Sequence, residues 1–253
     1  MKITILGTGT SQGIPVIGSD HPVCRSTDSR DKRLRVSAMI EHQGKRLVID
    51  CGPDFRQQML RHQVNHLDAV LFTHEHADHT AGLDDLRPFF FRQGEINCYM
   101  TKRVHLALQE RFSYMFATVN KYPGVADLTV HEFDDHAFKV SGIEVTPVLA
   151  DHGFIPVHGF RVLNFAYMTD VKTINATEKH KLKNLDVLVL NMLREQEHKT
   201  HLNLDEALDL VRELQPKRTY FTHISHHLGF HEEVEKNLPE GVYLAYDNLE
   251  INL

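Results

Sequence analysis

The spacing of apolar residues changes period along this chain, and each change marks an element. Residues 3–7 form a short apolar run that predicts a strand, ending in Gly7-Thr8-Gly9-Thr10-Ser11-Gln12-Gly13. Glycines there permit a tight turn close to a ligand, although the spacing matches neither nucleotide-binding glycine motif. Residues 19–35 are polar and charged and predict a long loop. Residues 36–41 and 46–50 flank His42-Gln43-Gly44-Lys45, the pattern of a hairpin. After Pro53, the spacing of Phe55, Met59, Leu60 and Val64 predicts a helix. Residues 69–72 read as a short apolar strand, 104–116 as one helix, and 118–128 as a loop punctuated by Pro123-Gly124. Strands follow at 129–133, 143–149, 159–163 and 165–169. The run at 186–190 is apolar on both faces, as in a fully buried strand. Asn203-Leu204-Asp205-Glu206 predicts a capping box opening a helix to Leu214, with Leu204, Leu208 and Val211 on its core face. Residues 218–222 predict another strand, and 242–251 close the chain with strand pairs. No repeat, low-complexity segment or linker interrupts this order, so a single α/β domain over residues 1–253 is expected.

Composition narrows the class. At 42% hydrophobic and 25% charged residues, the chain has the balance of a soluble globular protein. A net charge of −6 does not suggest broad electrostatic binding to nucleic acid, so a nucleic-acid partner is not expected. Cys24, Cys51 and Cys98 are odd in number and widely spaced, which fits a reducing compartment better than a disulfide scaffold. The N-terminus lacks a signal peptide's apolar region, and no run approaches the ~18 apolar residues of a membrane span. A cytoplasmic protein with no membrane partner is expected.

The candidate chemistry begins at Thr73-His74-Glu75-His76-Ala77-Asp78-His79, just after the strand at 69–72. Imidazole and carboxylate without thiolate suit zinc, manganese or iron. His74 and His76 can project together from an extended segment, because residues i and i+2 share a face. Asp78 and His79 then fall on the turn, and two such pairs suit two adjacent metals better than one. Three later predicted strands also end in ligand types: one before Asp151-His152, one before Asp170 and one before His223.

The set His74, His76, Asp78, His79, His152, Asp170 and His223 resembles the metallo-β-lactamase superfamily in order and spacing across nearly the whole chain. The resemblance implies a four-layer αββα sandwich with its site along one edge of two sheets. It also implies that His74, His76 and His152 hold one metal, that Asp78, His79 and His223 hold a second, and that Asp170 bridges them. Asp50 matches an early aspartate that orients a ligand histidine from behind. The opening stretch from Ile5 to Pro15 resembles the phosphodiesterases of this superfamily, both tRNase Z and the PhnP-like cyclic phosphodiesterases. Thr222-His223-Ile224-Ser225-His226 and Thr200-His201-Leu202-Asn203-Leu204 are closer to the PhnP-like branch, where His201 matches a proposed general acid. The basic exosite arm and the His-Glu-Ala-Thr run of tRNase Z are absent. PhnP-like proteins also carry a structural zinc on three cysteines and a histidine. In this chain Ser19 and His21 stand in place of two of the cysteines, leaving His21, Cys24 and His226 as a candidate structural site.

The expected activity is therefore hydrolysis of a small or cyclic phosphate diester by water activated between two divalent ions, zinc or manganese with iron admitted. Asp78 and Asp170 join His201 in the catalytic set, and a third, structural zinc is the candidate addition. Other hydrolases share the ligands, so a thioesterase, a lactonase, a glyoxalase II-like enzyme and a tRNase Z-like nuclease are the alternatives. Arg33 and Arg35 read as a solvated face with phosphate contact as the alternative. Phe89-Phe90-Phe91 reads as core, with a pocket wall or homodimer contact as the alternatives. His158 is a lesser candidate for the cleft, and His105, His131, His136, His180 and His231 read as surface histidines.

Overall fold

In a computed structural model covering residues 1–253, fourteen strands form two sheets of seven. The first holds β1 (Lys2–Gly7), β2 (Ser37–His42), β3 (Lys45–Ile49), β4 (Ala69–Leu71), β5 (Ile96–Met100), β6 (Leu128–Glu132) and, beyond β1, the last strand β14 (Glu250–Asn252). The second holds β7 (Phe138–Val140), β8 (Ile143–His152), β9 (Ile155–Val162), β10 (Phe165–Met168), β11 (Val187–Asn191), β12 (Arg218–Thr222) and β13 (Val242–Leu244). Each sheet is antiparallel on one side and parallel on the other: β3 to β6 run parallel in the first, and β10 to β13 in the second.

Residue order along the strands builds three core layers. Ile3, Ile5, Ala38, Ile40, Leu47 and Ile49 point inward against Phe160, Val162, Tyr167 and Val189 of the facing sheet. Their neighbours Leu6, Met39, Val48 and Val70 point outward and pack under helices through Phe55, Met59, Phe89 and Leu108. On the far side Ala166, Met168, Leu188 and Leu190 pack under Ala207, Leu210 and Leu214. Because successive strand residues face opposite ways, an unbroken apolar run supplies both layers at once. The result is a four-layer αββα sandwich.

Several elements differ from the sequence expectation. Residues 104–116 form two helices, Lys102–Arg111 and Ser113–Phe116, because Phe112 leaves helical geometry at φ −116° and ψ 42°. The capping box of Asn203 and Glu206 opens the helix Leu204–Leu214, but its deepest face is Ala207, Leu210 and Leu214, with Leu204, Leu208 and Val211 on the flank. The loop at 19–35 contains a short helix, Pro22–Arg25, and a 3-10 turn, Ser29–Asp31. Helices Arg87–Gln93 and Ala176–Lys181 and strands β5 and β7 lack a strong local pattern and were not expected. Phe89 enters the core, while Phe91 faces solvent. No helix is long and apolar enough to cross a membrane.

Candidate metal centre

The site is assembled from strand ends. Asp50 follows β3, Thr73 and His74 lie just past β4, His152 is the last residue of β8, Asp170 follows β10 by two residues, and His223 follows β12. The crevice beyond the carboxyl ends of parallel strands is where open α/β sheets place their sites. His76 caps the short helix Ala77–Thr80, which carries Asp78 and His79. Three of these strand-end residues adopt left-handed backbone: Asp50 at φ 63°, Asp170 at φ 58° and His223 at φ 57°. Each such non-glycine residue costs about 1 kcal/mol or more, and strain of this kind collects at functional sites.

The ligand atoms converge in overlapping groups: His74, His76 and His152; His74, His79 and Asp170; Asp78, His79 and His223; and His152, Asp170 and His201, each within 4.8 Å. Hydrogen bonds from behind fix the rings. His79 Nδ1 lies 2.6 Å from Asp50 Oδ2, and His152 Nδ1 lies 2.8 Å from the Thr200 carbonyl. A carbonyl or carboxylate only accepts, so each ring carries its proton on Nδ1 and aims Nε2 inward. Asp50 also takes the Thr73 N–H at 2.9 Å and the Thr73 hydroxyl at 2.8 Å. Asp170 Oδ1 lies 3.2 Å from His223 Nε2 and 3.1 Å from His201 Nε2, and its Oδ2 lies 3.2 Å from His79 Nε2. The His201 ring stacks on His223 with centroids 4.8 Å apart.

Electrostatics show what the cluster wants. Burial works to raise the Asp170 carboxyl, but His223 and His79 hold it well below the usual carboxylate range. Asp78 is likewise lowered, with His79 and His223 outweighing burial. Burial works to lower His79, yet Asp170, Asp78 and Asp50 raise it well above an ordinary imidazole. Three carboxylates around one ring make a pocket that favours positive charge. His74 is driven well down by burial, then by His79. Burial takes His201 down to about 4, against its hydrogen bond to Asp170. Two buried nitrogens that face the cluster, His79 Nε2 and His223 Nε2, each lie 3.2 Å from an Asp170 oxygen without forming a well-directed hydrogen bond. Buried imidazole nitrogens seldom stay unpaired, and a cation would satisfy both. With nitrogen and carboxylate donors and no thiolate, the residues fit a divalent-metal centre.

Backbone packing positions the ligand loop. A Cβ on Gly52 would lie 2.1 Å from the Asp78 carbonyl oxygen, and one on Gly82 would lie 2.2 Å from the Gly52 carbonyl oxygen. Only glycine allows the loop after β3 to seat against the helix bearing Asp78 and His79. Arg111 holds the other side, donating to the Glu75 carbonyl at 3.0 Å and the Thr80 hydroxyl at 2.7 Å. Thr73, Thr200, Gly52, Gly82 and Arg111 escaped sequence reasoning; only the threonines, each directly before a predicted histidine, carried a local signal.

The structure gathers His74, His76, Asp78, His79, His152, Asp170, His201 and His223, with Asp50 behind them. It does not gather the structural-zinc set. His21 and His226 rings stand 5.0 Å apart with His227 beside them, but Cys24 packs with Ile14 and Val23, and its Sγ accepts the Val16 N–H at 3.5 Å. Arg33 is neither solvated nor free for phosphate: it is buried and hydrogen-bonded to Thr8 and Ala245. Arg35 pairs with Asp54. His158 is buried and pairs with Asp135, and His231, expected at the surface, is buried too. His198 was not singled out, and its Nδ1 lies 3.1 Å from His201 Nδ1.

Residues 45–224 match the β-lactamase superfamily domain family. The chain belongs to the metallo-β-lactamase superfamily. It is 40% identical over 253 residues to an octanoyltransferase of Porphyromonas gingivalis, covering 99% of this chain and 51% of that protein. A ribonuclease Z of Clostridium kluyveri is 27% identical over 193 residues, 73% of this chain and 54% of that protein. The chain spans about half the length of these curated relatives. Among solved structures, a diphosphatase of the PhnP family superposes with a TM-score of 0.93 and 39% identity, covering 100% of this chain and 97% of that one. The metallo-β-lactamase fold implies divalent metal ions, and the likeness is consistent with the PhnP-like branch of its hydrolases.

Proposed function

We propose that this hydrolase is a phosphodiesterase acting on a small or cyclic phosphate diester, with two divalent cations and His201 as general acid. The placement of His201 carries the reading: its Nε2 sits 3.1 Å from Asp170 Oδ1, inside the ligand cluster. The full-length likeness to a diphosphatase of the PhnP family supports phosphorus as the atom attacked. His74, His76 and His152 would hold one cation, Asp78, His79 and His223 the other, and Asp170 would be shared. Bound there, divalent ions lower the pKa of water and neutralise phosphate oxygens.

The chain's own groups do the rest. Asp50 keeps the His79 proton on Nδ1, and the Thr200 carbonyl does the same for His152. The Asp170 carboxylate, an acceptor only, keeps a proton on His201 Nε2, and the Thr200 hydroxyl lies 3.0 Å from its Nδ1. In the imidazolium form, which burial opposes and Asp170 favours, that Nε2 proton goes to the leaving alkoxide and leaves a neutral ring protonated on Nδ1, a general-acid step typically contributing ~10²–10⁴-fold. The buried, unpaired cysteines support a reducing, cytoplasmic setting.

The test is a side-by-side assay of bis-p-nitrophenyl phosphate, a ribose cyclic phosphate, a thioester and a structured RNA, with elemental analysis of the same preparation. Turnover of the phosphodiesters above the other two supports the reading; preference for the thioester or the RNA overturns it. A second reading, acyl ester or thioester hydrolysis at the same centre, is favoured by the 40% identity to an octanoyltransferase. That protein extends well beyond the matched region, which covers 51% of it, so acyl transfer has a further segment available to carry it. Phosphorus chemistry remains the first reading.

A further inference from the structure

The glycine-rich turn after β1 contributes no ligand, yet it grips the backbone next to one. Ile224, directly after His223, donates its N–H to the Thr8 carbonyl at 2.9 Å and accepts the Thr10 N–H at 3.3 Å. His223 itself is held at φ 57°, a conformation that needs support from its surroundings. What holds Thr8 is a buried charge. Arg33, 2% exposed, donates from Nη1 to Thr8 Oγ1 at 2.9 Å, and the Thr8 hydroxyl donates to Asp247 Oδ1 at 2.8 Å. Arg33 is pinned in turn by the Ala245 carbonyl at 2.6 Å and by His231 Nδ1 at 3.0 Å, and Asp247 Oδ2 accepts the Leu34 N–H at 2.8 Å. The turn can lie this close because Gly9 has no side chain: a Cβ there would meet the Arg33 carbonyl at 2.9 Å.

Burying a guanidinium is costly, and an apolar side chain of similar volume often serves stability as well. A reason beyond stability is therefore needed, and the connection to His223 supplies one. We infer that Arg33, Thr8 and Asp247 act together as a clamp that positions His223, and so set the affinity of the cation position formed by Asp78, His79 and His223. None of the three touches the reacting atoms; they are positioning residues. The inference rests on the two-cation reading above.

The test loads the full chain with zinc, dialyses it against graded chelator and counts bound equivalents by elemental analysis. Thr8→Val removes the hydroxyl while keeping the shape. It is expected to release one equivalent at roughly 10–100-fold weaker chelation than wild type, the usual effect of losing support behind a ligand. The other equivalent should titrate as in wild type. Thr8→Ser keeps the hydroxyl and should restore two tight equivalents. In a His223→Ala background, Thr8→Val should add nothing further. If Thr8→Val does not fold by circular dichroism, Asp247→Asn, which changes charge but little shape, carries the same expectation. Loss of both equivalents together, or of neither, in a folded variant overturns the clamp. Wild-type protein that never binds two equivalents overturns the two-cation reading itself, and the clamp with it.

Discussion

Replacing Asp50 by asparagine would change the centre with almost no change in shape. Asp50 is fully buried after β3, and three donors converge on it: the Thr73 N–H at 2.9 Å on Oδ1, and the Thr73 hydroxyl at 2.8 Å and His79 Nδ1 at 2.6 Å on Oδ2. An amide keeps only one acceptor oxygen. With that oxygen left on the Thr73 N–H, the new NH2 group would face the other two donors. The threonine hydroxyl can rotate away. The imidazole can adapt only by moving its proton to Nε2, the atom aimed at the cluster. Losing a hydrogen bond to a charged group costs about 1.5–3 kcal/mol. At about 1.4 kcal/mol per tenfold, that predicts roughly 10–100-fold weaker binding of the cation held by His79. The equivalent that His74, His76 and His152 are proposed to hold should be unaffected. Chelator competition read by elemental analysis measures both, and circular dichroism checks the fold. A folded Asp50→Asn protein that holds both equivalents as tightly as wild type would refute the reasoning.

Four further outcomes are expected. Gly52→Ala would push the Asp78 carbonyl away from a 2.1 Å contact, a shift of roughly 1 Å that should lower kcat about 10²-fold; wild-type kcat would count against the interlocked loops. Asp170→Ala should abolish phosphodiester hydrolysis and lower bound metal; full activity with two equivalents retained would sink the shared-ligand role. His201→Ala should slow alkoxide leaving groups by ~10²-fold or more but p-nitrophenolate far less, since the latter leaves without a proton; equal losses would exclude the acid. Metal-free protein should unfold more easily as pH falls from about 6.5 toward 4. In that window the unfolded chain protonates His74, His76 and His201, which burial keeps neutral in the folded chain, whereas His79, raised by its carboxylates, is already charged when folded and does not add to this loss. His201 alone, held at about 4 against an ordinary 6.5, amounts to at most about 3 kcal/mol. Burial raises Asp247 to about 6 and also raises Asp50, and both oppose this slope, so the rings are checked one by one: a His74 or His201 imidazole that titrates by NMR like a free histidine in metal-free protein would contradict their burial.

Much of the fold and the site was legible because both depend on local order. Strands such as Val187–Asn191 announce themselves by unbroken apolar runs, and the ligands announce themselves by standing where such runs stop. Strand β5 did not, since Asn97 and Tyr99 alternate with its buried positions in too short a stretch to separate from loop. The break at Phe112 and the flank position of Leu208 depend on what packs above them, which periodicity cannot supply. Arg33 and His231 were misjudged for a clearer reason. Their partners are Thr8, Ala245 and each other, up to 212 residues away in sequence, and no local pattern distinguishes a buried paired charge from a solvated one. Cys24 differs: the resemblance set it with His21 and His226 as a candidate structural site, whereas its side chain packs in the apolar cluster of Ile14 and Val23.

The pairing of β14 with β1 has a consequence for architecture. Lys2 faces Asn252, and the amino group of Met1 donates to the Leu253 carbonyl at 2.6 Å. Strand β1 runs toward the turn that grips Ile224, so residues 1 and 253 leave the sandwich together at the edge opposite the metal cleft. A further module can be joined at either end without crossing the substrate's approach, and the two ends can be linked to each other by a short connector. The exposed stretch around Val119 and Tyr122 then offers a place to reopen the chain as a circular permutant that retains the metal cleft. A longer protein in which a region like this one makes up about half the length, as in the Porphyromonas relative, is compatible with ends placed in this way.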